Sequence, residues 1–133
     1  MKLIEKKCRG LWQEIVCNRD RYCQRCYSIP IAGHHVFGRI HNGSSFDPDS
    51  GLGVCVDCHE WAREHPQEAR DLLKEKIGAE RYAYLEARSR SIVRLRETDF
   101  RRIYIDLRGI LEKMKGACQA PSSATLPPSP LPS

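Results

Sequence analysis

The sequence predicts an α+β fold in which a short β-hairpin lies between helices. Glycine recurs at five positions within residues 23–65, from Gly33 to Gly53. This spacing favours turns and short strands over a helix. On either side of the segment, apolar residues recur every three or four positions, which is typical of amphipathic helices. The length of 133 residues suits one domain.

The first element is predicted as a short helix within residues 1–22. Four apolar residues in it share helical spacing: Leu11, Trp12, Ile15 and Val16. Strands are predicted over residues 31–40 and 52–56, and the polar residues 41–50 form the loop that joins them. After Cys58 the pattern becomes helical again and continues to the next proline, which cannot extend a helix.

Three further helices are predicted over residues 66–78, 79–97 and 99–116. The last has the clearest apolar stripe, at intervals of three and four residues: Phe100, Ile103, Leu107, Ile110 and Met114. Residues 1–66 are predicted as the hairpin core with its leading helix. Residues 67–118 are predicted as a helical extension packed on or following that core. Residues 119–133, rich in proline and serine, are predicted as a disordered tail.

The composition narrows the class of protein. The formal charge is +5, a mild basic excess that fits a polyanionic partner without requiring one. No apolar run reaches about 18 residues, so no membrane span is expected. The N-terminal residues lack the apolar core of a signal peptide, which predicts a cytoplasmic protein. Thiols stay reduced in the cytoplasm, and paired cysteines there are more often metal ligands than disulfides.

Four cysteines form two CxxC pairs, Cys23 with Cys26 and Cys55 with Cys58. A tight turn can aim both sulfurs of such a pair at one ion, and two such turns complete the tetrahedral shell that zinc accepts. We therefore predict a structural zinc site. The alternative is four buried free cysteines, which the presence of two matched pairs in one short domain disfavours. A closed shell of four sulfurs leaves no open position for a substrate.

Histidines lie between and beside the cysteine pairs. The segment CQRC is followed by GHHVFGR, which contains His34 and His35, and then by FDPDSGLGVCVDCHEWAREHP, in which His59 directly follows Cys58. This combination resembles the HNH, or ββα-metal, family of endonucleases over roughly residues 11–66. It is especially similar to small phage and prophage HNH proteins, including the NinG/Rap recombination type. The resemblance implies a zinc-stabilised ββα-metal core flanked by an N-terminal helix and C-terminal helices.

The resemblance also implies roles for individual residues. His34 and His59 would bind a catalytic metal, and His35 would be the general base that takes a proton from the attacking water. Arg39 would hold a phosphate beside the cut. Adjacent residues on a regular strand point to opposite faces, so His34 and His35 cannot both be ligands of one ion.

Two positions depart from the family pattern. Members usually carry an asparagine that braces the hairpin where this chain has Ser50, and many carry a second helix histidine where it has Arg63. Arg63 lies four residues after His59, so it faces the site, but a guanidinium cannot ligate a metal. With two protein nitrogens, the site suits magnesium or manganese, which tolerate a sparse protein shell. Arg63 is then predicted to lie near the scissile phosphate.

Three functions remain open from the sequence. The first is a metal-dependent DNA endonuclease or nickase of phage or prophage recombination or DNA processing, with duplex, branched or nicked DNA as its substrate. The second is a zinc-stabilised nucleic-acid-binding protein that has lost cleavage, which the departures at Ser50 and Arg63 favour. The third is a structural interaction protein built on a zinc knuckle, which would not bind DNA even at low salt. The pattern predicts neither a base preference nor an oligomeric state.

Overall fold

The computed structural model describes residues 2–38 and 42–118, apart from the side chains of residues 117 and 118. The described residues form five α-helices and one antiparallel two-stranded sheet, which confirms the α+β class. In chain order the elements are α1 (Lys2–Asp20), β1 (Ala32–His35), a 3₁₀ turn (Pro48–Ser50), β2 (Gly51–Val54), α2 (Val56–Glu64), α3 (Pro66–Ile77), α4 (Ala79–Ser89) and α5 (Glu97–Cys118). None of these described helices is both long enough and apolar enough to cross a membrane. The predicted tail, residues 119–133, lies outside the described residues.

The first helix is longer and the strands are shorter than the sequence predicts. α1 has 19 residues and continues almost to the N-terminus. β1 ends at His35, where a turn follows, and the last part of the predicted strand, residues 39 and 40, lies outside the described residues. β2 ends at Val54 because Cys55 caps α2, so the chain leaves the sheet two residues earlier than predicted.

α1 crosses one face of the hairpin at close range. The indole of Trp12 is 1% exposed and lies where side chains at Gly33 and Gly51 would otherwise project. An added Cβ would come within 2.8 Å of this ring at Gly33 and within 2.4 Å at Gly51. Trp12 also donates from Nε1 to the carbonyl oxygen of Asp47 at 3.0 Å. Glycine at these two strand positions therefore permits the close approach of the helix.

Both edges of the hairpin are closed by α1 and the segment after it. Gly33 and Gly53 are paired across the two strands. On the β1 edge, the side-chain amide of Gln13 accepts from the N–H of Gly33 at 2.8 Å and donates to its carbonyl at 3.0 Å. On the β2 edge, the N–H of Gly53 donates to Asp20 at 2.7 Å, and its carbonyl accepts from the N–H of Gln24 at 2.9 Å. All four backbone groups of the glycine pair are thus satisfied, as buried backbone requires.

Two clusters of buried side chains hold the helices around the hairpin. The first joins α1 to α5, and its largest members are Trp12, Ile15, Phe100, Leu107 and Leu111. The second packs the hairpin on α2, α3 and α4, through Cys23, Leu52, Val54, Cys58, Leu73 and Tyr82. The hairpin is therefore enclosed between α1 and the second cluster. α5 packs against α1 and supports it.

α4 holds the loop that joins the two strands. Arg81 forms ion pairs with Asp47 at 2.8 Å and with Asp49 at 2.9 Å. Arg88 donates to the carbonyl of Gly43 at 2.8 and 3.1 Å, and the N–H of Gly43 donates to the carbonyl of Arg88 at 3.1 Å. α4 is shorter than the predicted helix over residues 79–97, because the chain beyond it forms a β-bridge with this loop.

Replacing Gly51 with alanine tests the contact between α1 and the hairpin. We expect Gly51→Ala to lower the free energy of unfolding by about 2 to 3 kcal/mol, because its Cβ would overlap the Trp12 ring. Urea unfolding of the zinc-loaded protein measures the change. The matched control is Gly109→Ala in α5, where a Cβ meets nothing within 4 Å and alanine should raise stability by about 0.5 to 1 kcal/mol. Equal stability of the two variants would show that Trp12 does not press on the hairpin.

Candidate functional site

The four cysteines of the two CxxC pairs form one cluster. Their sulfur atoms all lie within 4.8 Å of one another, and those of Cys26 and Cys55 are 3.5 Å apart. Tetrahedral zinc with Zn–S bonds of about 2.3 Å places its sulfurs about 3.8 Å apart. The cluster predicted from the sequence is therefore confirmed, and its geometry is compatible with a zinc ion.

Each cysteine pair lies in a turn that directs its sulfurs. The Cys23 sulfur accepts from the N–H groups of Arg25 and Cys26, both at 3.4 Å. The Cys55 sulfur accepts from the N–H of Cys58 at 3.5 Å, where it caps α2. In both turns the first sulfur of the pair accepts from the N–H of the second cysteine. Backbone N–H groups thus help to direct the first sulfur of each pair.

The thiols of the cluster differ in acidity. The N–H of Cys58 helps to lower the pKa of Cys55 to about 6, whereas burial raises the pKa of Cys58 to about 12. A buried thiolate needs a compensating positive charge, and a coordinated cation supplies one and deprotonates the thiol. The combination of an acidic and a buried thiol therefore suits a metal-binding cluster.

His34 and His59 meet on the α2 side of the hairpin. Their ring centroids are 4.8 Å apart and the rings are nearly perpendicular, at 79°. His34 projects from β1, and His59, which directly follows Cys58, projects from the first turn of α2. Burial, with the nearby His59 and Arg63, lowers the pKa of His34 to about 4. The His34 ring is therefore neutral at physiological pH, and the two rings together could offer nitrogens to one cation.

His35 lies on the opposite side of the strand, against α1. Its ring stacks on the Trp12 indole, with centroids 3.8 Å apart and an angle of 6° between the planes. Because Trp12 is itself fixed in the first buried cluster, this stacking fixes the plane of the His35 ring. The two neighbouring histidines are thus held by different elements, as the alternation of side chains along a strand requires.

One groove extends from the pair of His34 and His59 to the ring of His35. It has a volume of about 800 Å³, and His34, His35, His59 and Arg63 all line it. Arg63, on the last turn of α2, is exposed and faces the same space as His59. Arg39, the predicted phosphate-binding residue, lies outside the described residues. The residues predicted for the catalytic site thus converge on one cavity wherever the structure describes them.

Ser50 stabilises the loop between the strands. Its hydroxyl lies 2.7 Å from the carbonyl of Asp47 and 2.9 Å from the carbonyl of Ser44, and its side chain is buried. A hydroxyl has one proton to donate, so it serves these two acceptors alternately or in a shared bond. Ser50 therefore braces the hairpin from within the loop.

The opposite wall of the groove comes from α1, which the sequence pattern did not indicate. Four of its residues line the groove: Lys6, Arg9, Gly10 and Gln13. They share one helix face beside the apolar face that is buried against α5. The sequence signal for this wall is a polar stripe that contains a glycine and lies beside the apolar stripe of α1. Such a stripe does not indicate which part of the protein it faces.

Comparison of the chain with models of protein families, with curated proteins and with solved structures gives no match. The resemblance to the HNH family therefore remains a hypothesis that rests on the motif residues and on the geometry of the groove.

Metal analysis tests the cysteine cluster. We expect one tightly bound zinc per chain by native mass spectrometry, and its loss in Cys55→Ser together with a large drop in the thermal midpoint. Structural zinc binding is worth on the order of 10 kcal/mol in small domains, so we expect the fold to depend on it. Serine is a good helix cap, so this change removes a metal ligand while it keeps the start of α2.

The control for this experiment is Cys17→Ser. Cys17 lies outside the cluster, and its thiol lies 3.6 Å from the carbonyl of Ile31, so serine keeps a small polar group of similar shape there. The control should keep its zinc. A wild-type protein that folds without any metal would contradict the assignment of the cluster.

Proposed function

We propose that the chain is a metal-dependent DNA endonuclease or nickase of the HNH type, which hydrolyses phosphodiester bonds. The observation that carries the proposal is the convergence of His34, His35, His59 and Arg63 on one groove. None of the described residues that line this groove carries a carboxylate, so the cavity favours an anionic substrate such as a phosphodiester. The motif layout supports a place among phage or prophage proteins of recombination or DNA processing.

His34 and His59 are the proposed ligands of the catalytic metal. The neutral ring of His34 and the 4.8 Å separation of the two rings suit the binding of one cation. Such a cation, when bound, stabilises the charge that develops on the phosphate and on the leaving 3′ oxygen. Two protein nitrogens make a sparse shell, so magnesium or manganese, which keep several waters, fit better than zinc.

His35 is the proposed general base. A nitrogen of its imidazole would take a proton from the water that attacks phosphorus, as a histidine general base does. Stacking on Trp12 limits the ring to one plane, so little rotational freedom is lost when water and substrate bind. Arg63 would bind a non-bridging oxygen of the scissile phosphate, as a charge-assisted donor.

A plasmid-nicking assay tests this function. We expect the wild-type protein to nick DNA with magnesium or manganese, and His35→Ala to be slower by about a hundredfold or more, because it lacks the base. His65→Ala is the matched control, since His65 is exposed and stacks on Trp61 outside the groove. Nicked and branched DNA are included as substrates beside the plasmid.

The outcome separates nuclease from binding protein. Equal behaviour of the wild-type protein and His35→Ala over several metals would contradict the enzymatic function. DNA binding without cleavage would then favour the alternative of a zinc-stabilised nucleic-acid-binding protein. Cleavage that zinc supports, and that magnesium and manganese do not, would contradict the proposed metal.

Replacing Arg63 with histidine tests the proposed metal pair. The new imidazole would lie four residues after His59 on the same face of α2 and add a third nitrogen. We expect Arg63→His to bind a second zinc per chain by native mass spectrometry, in addition to the ion in the cysteine cluster, because three nitrogens suit zinc. Arg63→Gln removes the same charge without adding a ligand and should bind only one. A single zinc in both variants would show that His34 and His59 do not form a metal pair.

A further inference from the structure

The fold does not require a glycine at position 10, in the interior of α1. It lies in the middle of α1, and a Cβ added there would meet nothing within 4 Å. Glycine is unfavourable in a helix interior relative to alanine, and here no contact compensates for it. The glycines of the hairpin differ, because a Cβ on Gly33 or Gly51 would overlap Trp12. The space above Gly10 belongs to the groove, so a side chain there would project into the cavity.

Two cationic side chains flank this open position. Lys6 lies one turn before Gly10, and Arg9 is its neighbour; both line the groove. Arg9 also pairs with Glu5 and lies 5.7 Å from the ring of Phe46, so its charge is partly balanced within the protein. Lys6 has no ion-pair partner in the described part of the chain.

Positive charge faces the groove from its other wall as well. Arg63 lies on α2 beside His59, and it too has no ion pair with any residue that the structure describes. Unbalanced charge on two facing walls, with the histidines between them, is the pattern expected for a channel that holds a polyanionic chain.

We propose that the groove face of α1, formed by Lys6, Arg9 and Gly10, seats the sugar–phosphate backbone of the DNA strand that is cut. The choice of DNA rests on the proposed function. Lys6 and Arg9 bind phosphates next to the scissile one, and Gly10 leaves the room in which the backbone approaches the helix. The contacts are to the backbone, so they position the strand and do not select its sequence.

A bulky residue at position 10 tests the seat without disturbing the fold. Gly10→Leu projects a bulky side chain into the groove, and leucine is a better helix former than glycine, so the variant should be at least as stable as the wild type. Gly109→Leu is the matched control, since Gly109 lies in the interior of α5, away from the groove, and a Cβ there also meets nothing within 4 Å. Thermal melting of both variants checks that the fold is kept.

Binding and cleavage are measured separately. Fluorescence anisotropy of a labelled duplex, without added magnesium, gives the affinity, and nicking with magnesium gives the activity. We expect Gly10→Leu to bind about tenfold or more weakly at low salt, since it displaces phosphate contacts. Its nicking should fall with binding at subsaturating enzyme, and Gly109→Leu should equal the wild type in both assays.

The salt dependence gives a second, independent test. Lys6→Gln should make the slope of log K against log salt shallower by about 0.9, the value for one phosphate contact on duplex DNA. Lys113→Gln in α5 makes the same charge change at an exposed position outside the groove and should leave the slope unchanged. This pair keeps the test decisive even if leucine at position 10 proves to be unstable.

The outcomes distinguish the seat from the enzymatic function. If the protein cleaves DNA, and Gly10→Leu and Lys6→Gln match their controls, the seat is wrong while the nuclease stands. If the protein binds DNA without cleaving it, and both variants bind more weakly than their controls, the seat stands and hydrolysis is wrong. A wild-type protein that does not bind DNA at low salt overturns the seat.

Discussion

The contact between Trp12 and the glycine face of the hairpin is the constraint on which the rest of the structure depends. Strands of four residues do not form a stable sheet alone, and this pair has no third strand in the described residues. A helix pressed on two glycines supplies the missing support, while Gln13 closes the β1 edge as a neighbouring strand would. The same helix must then lie beside the groove. The packing of the core therefore fixes one wall of the candidate site.

The proposed metal ligands and the proposed general base lie on opposite faces of the hairpin. His34 faces α2, whose start is set by the cysteine cluster, and there it meets His59. His35 faces α1 and stacks on Trp12. Both proposed roles need a neutral imidazole, but only the base gains a proton during the reaction, and separate supports keep the environments of the two rings apart. The position of His59 therefore depends on the geometry of the cysteine cluster, because His59 directly follows Cys58 in the first turn of α2.

The sequence predicted those features that depend on local spacing. The α+β class, the position of the hairpin and the clustering of the four cysteines all follow from glycine, apolar and cysteine intervals, and the structure confirms them. The α1 wall could not be predicted, because helical spacing at Trp12 indicates burial without naming the surface that buries it. The end of α4 was missed for a similar reason, since a long-range β-bridge to the loop, and no local signal, stops the helix. The periodicity of a sequence predicts which residues are buried, but it does not predict which distant segments they contact.

The departure at Ser50 has a structural meaning that the sequence alone could not give. Its hydroxyl bonds carbonyls of the loop itself, and Arg81 of α4 ties the same loop through Asp47 and Asp49. The orientation of His35 comes instead from the aromatic ring of Trp12. Trp12 thus supports both parts, because its indole stacks on His35 and donates to the carbonyl of Asp47 in the loop. In the proposed site, the plane of the His35 imidazole is therefore held by the stacked indole at position 12.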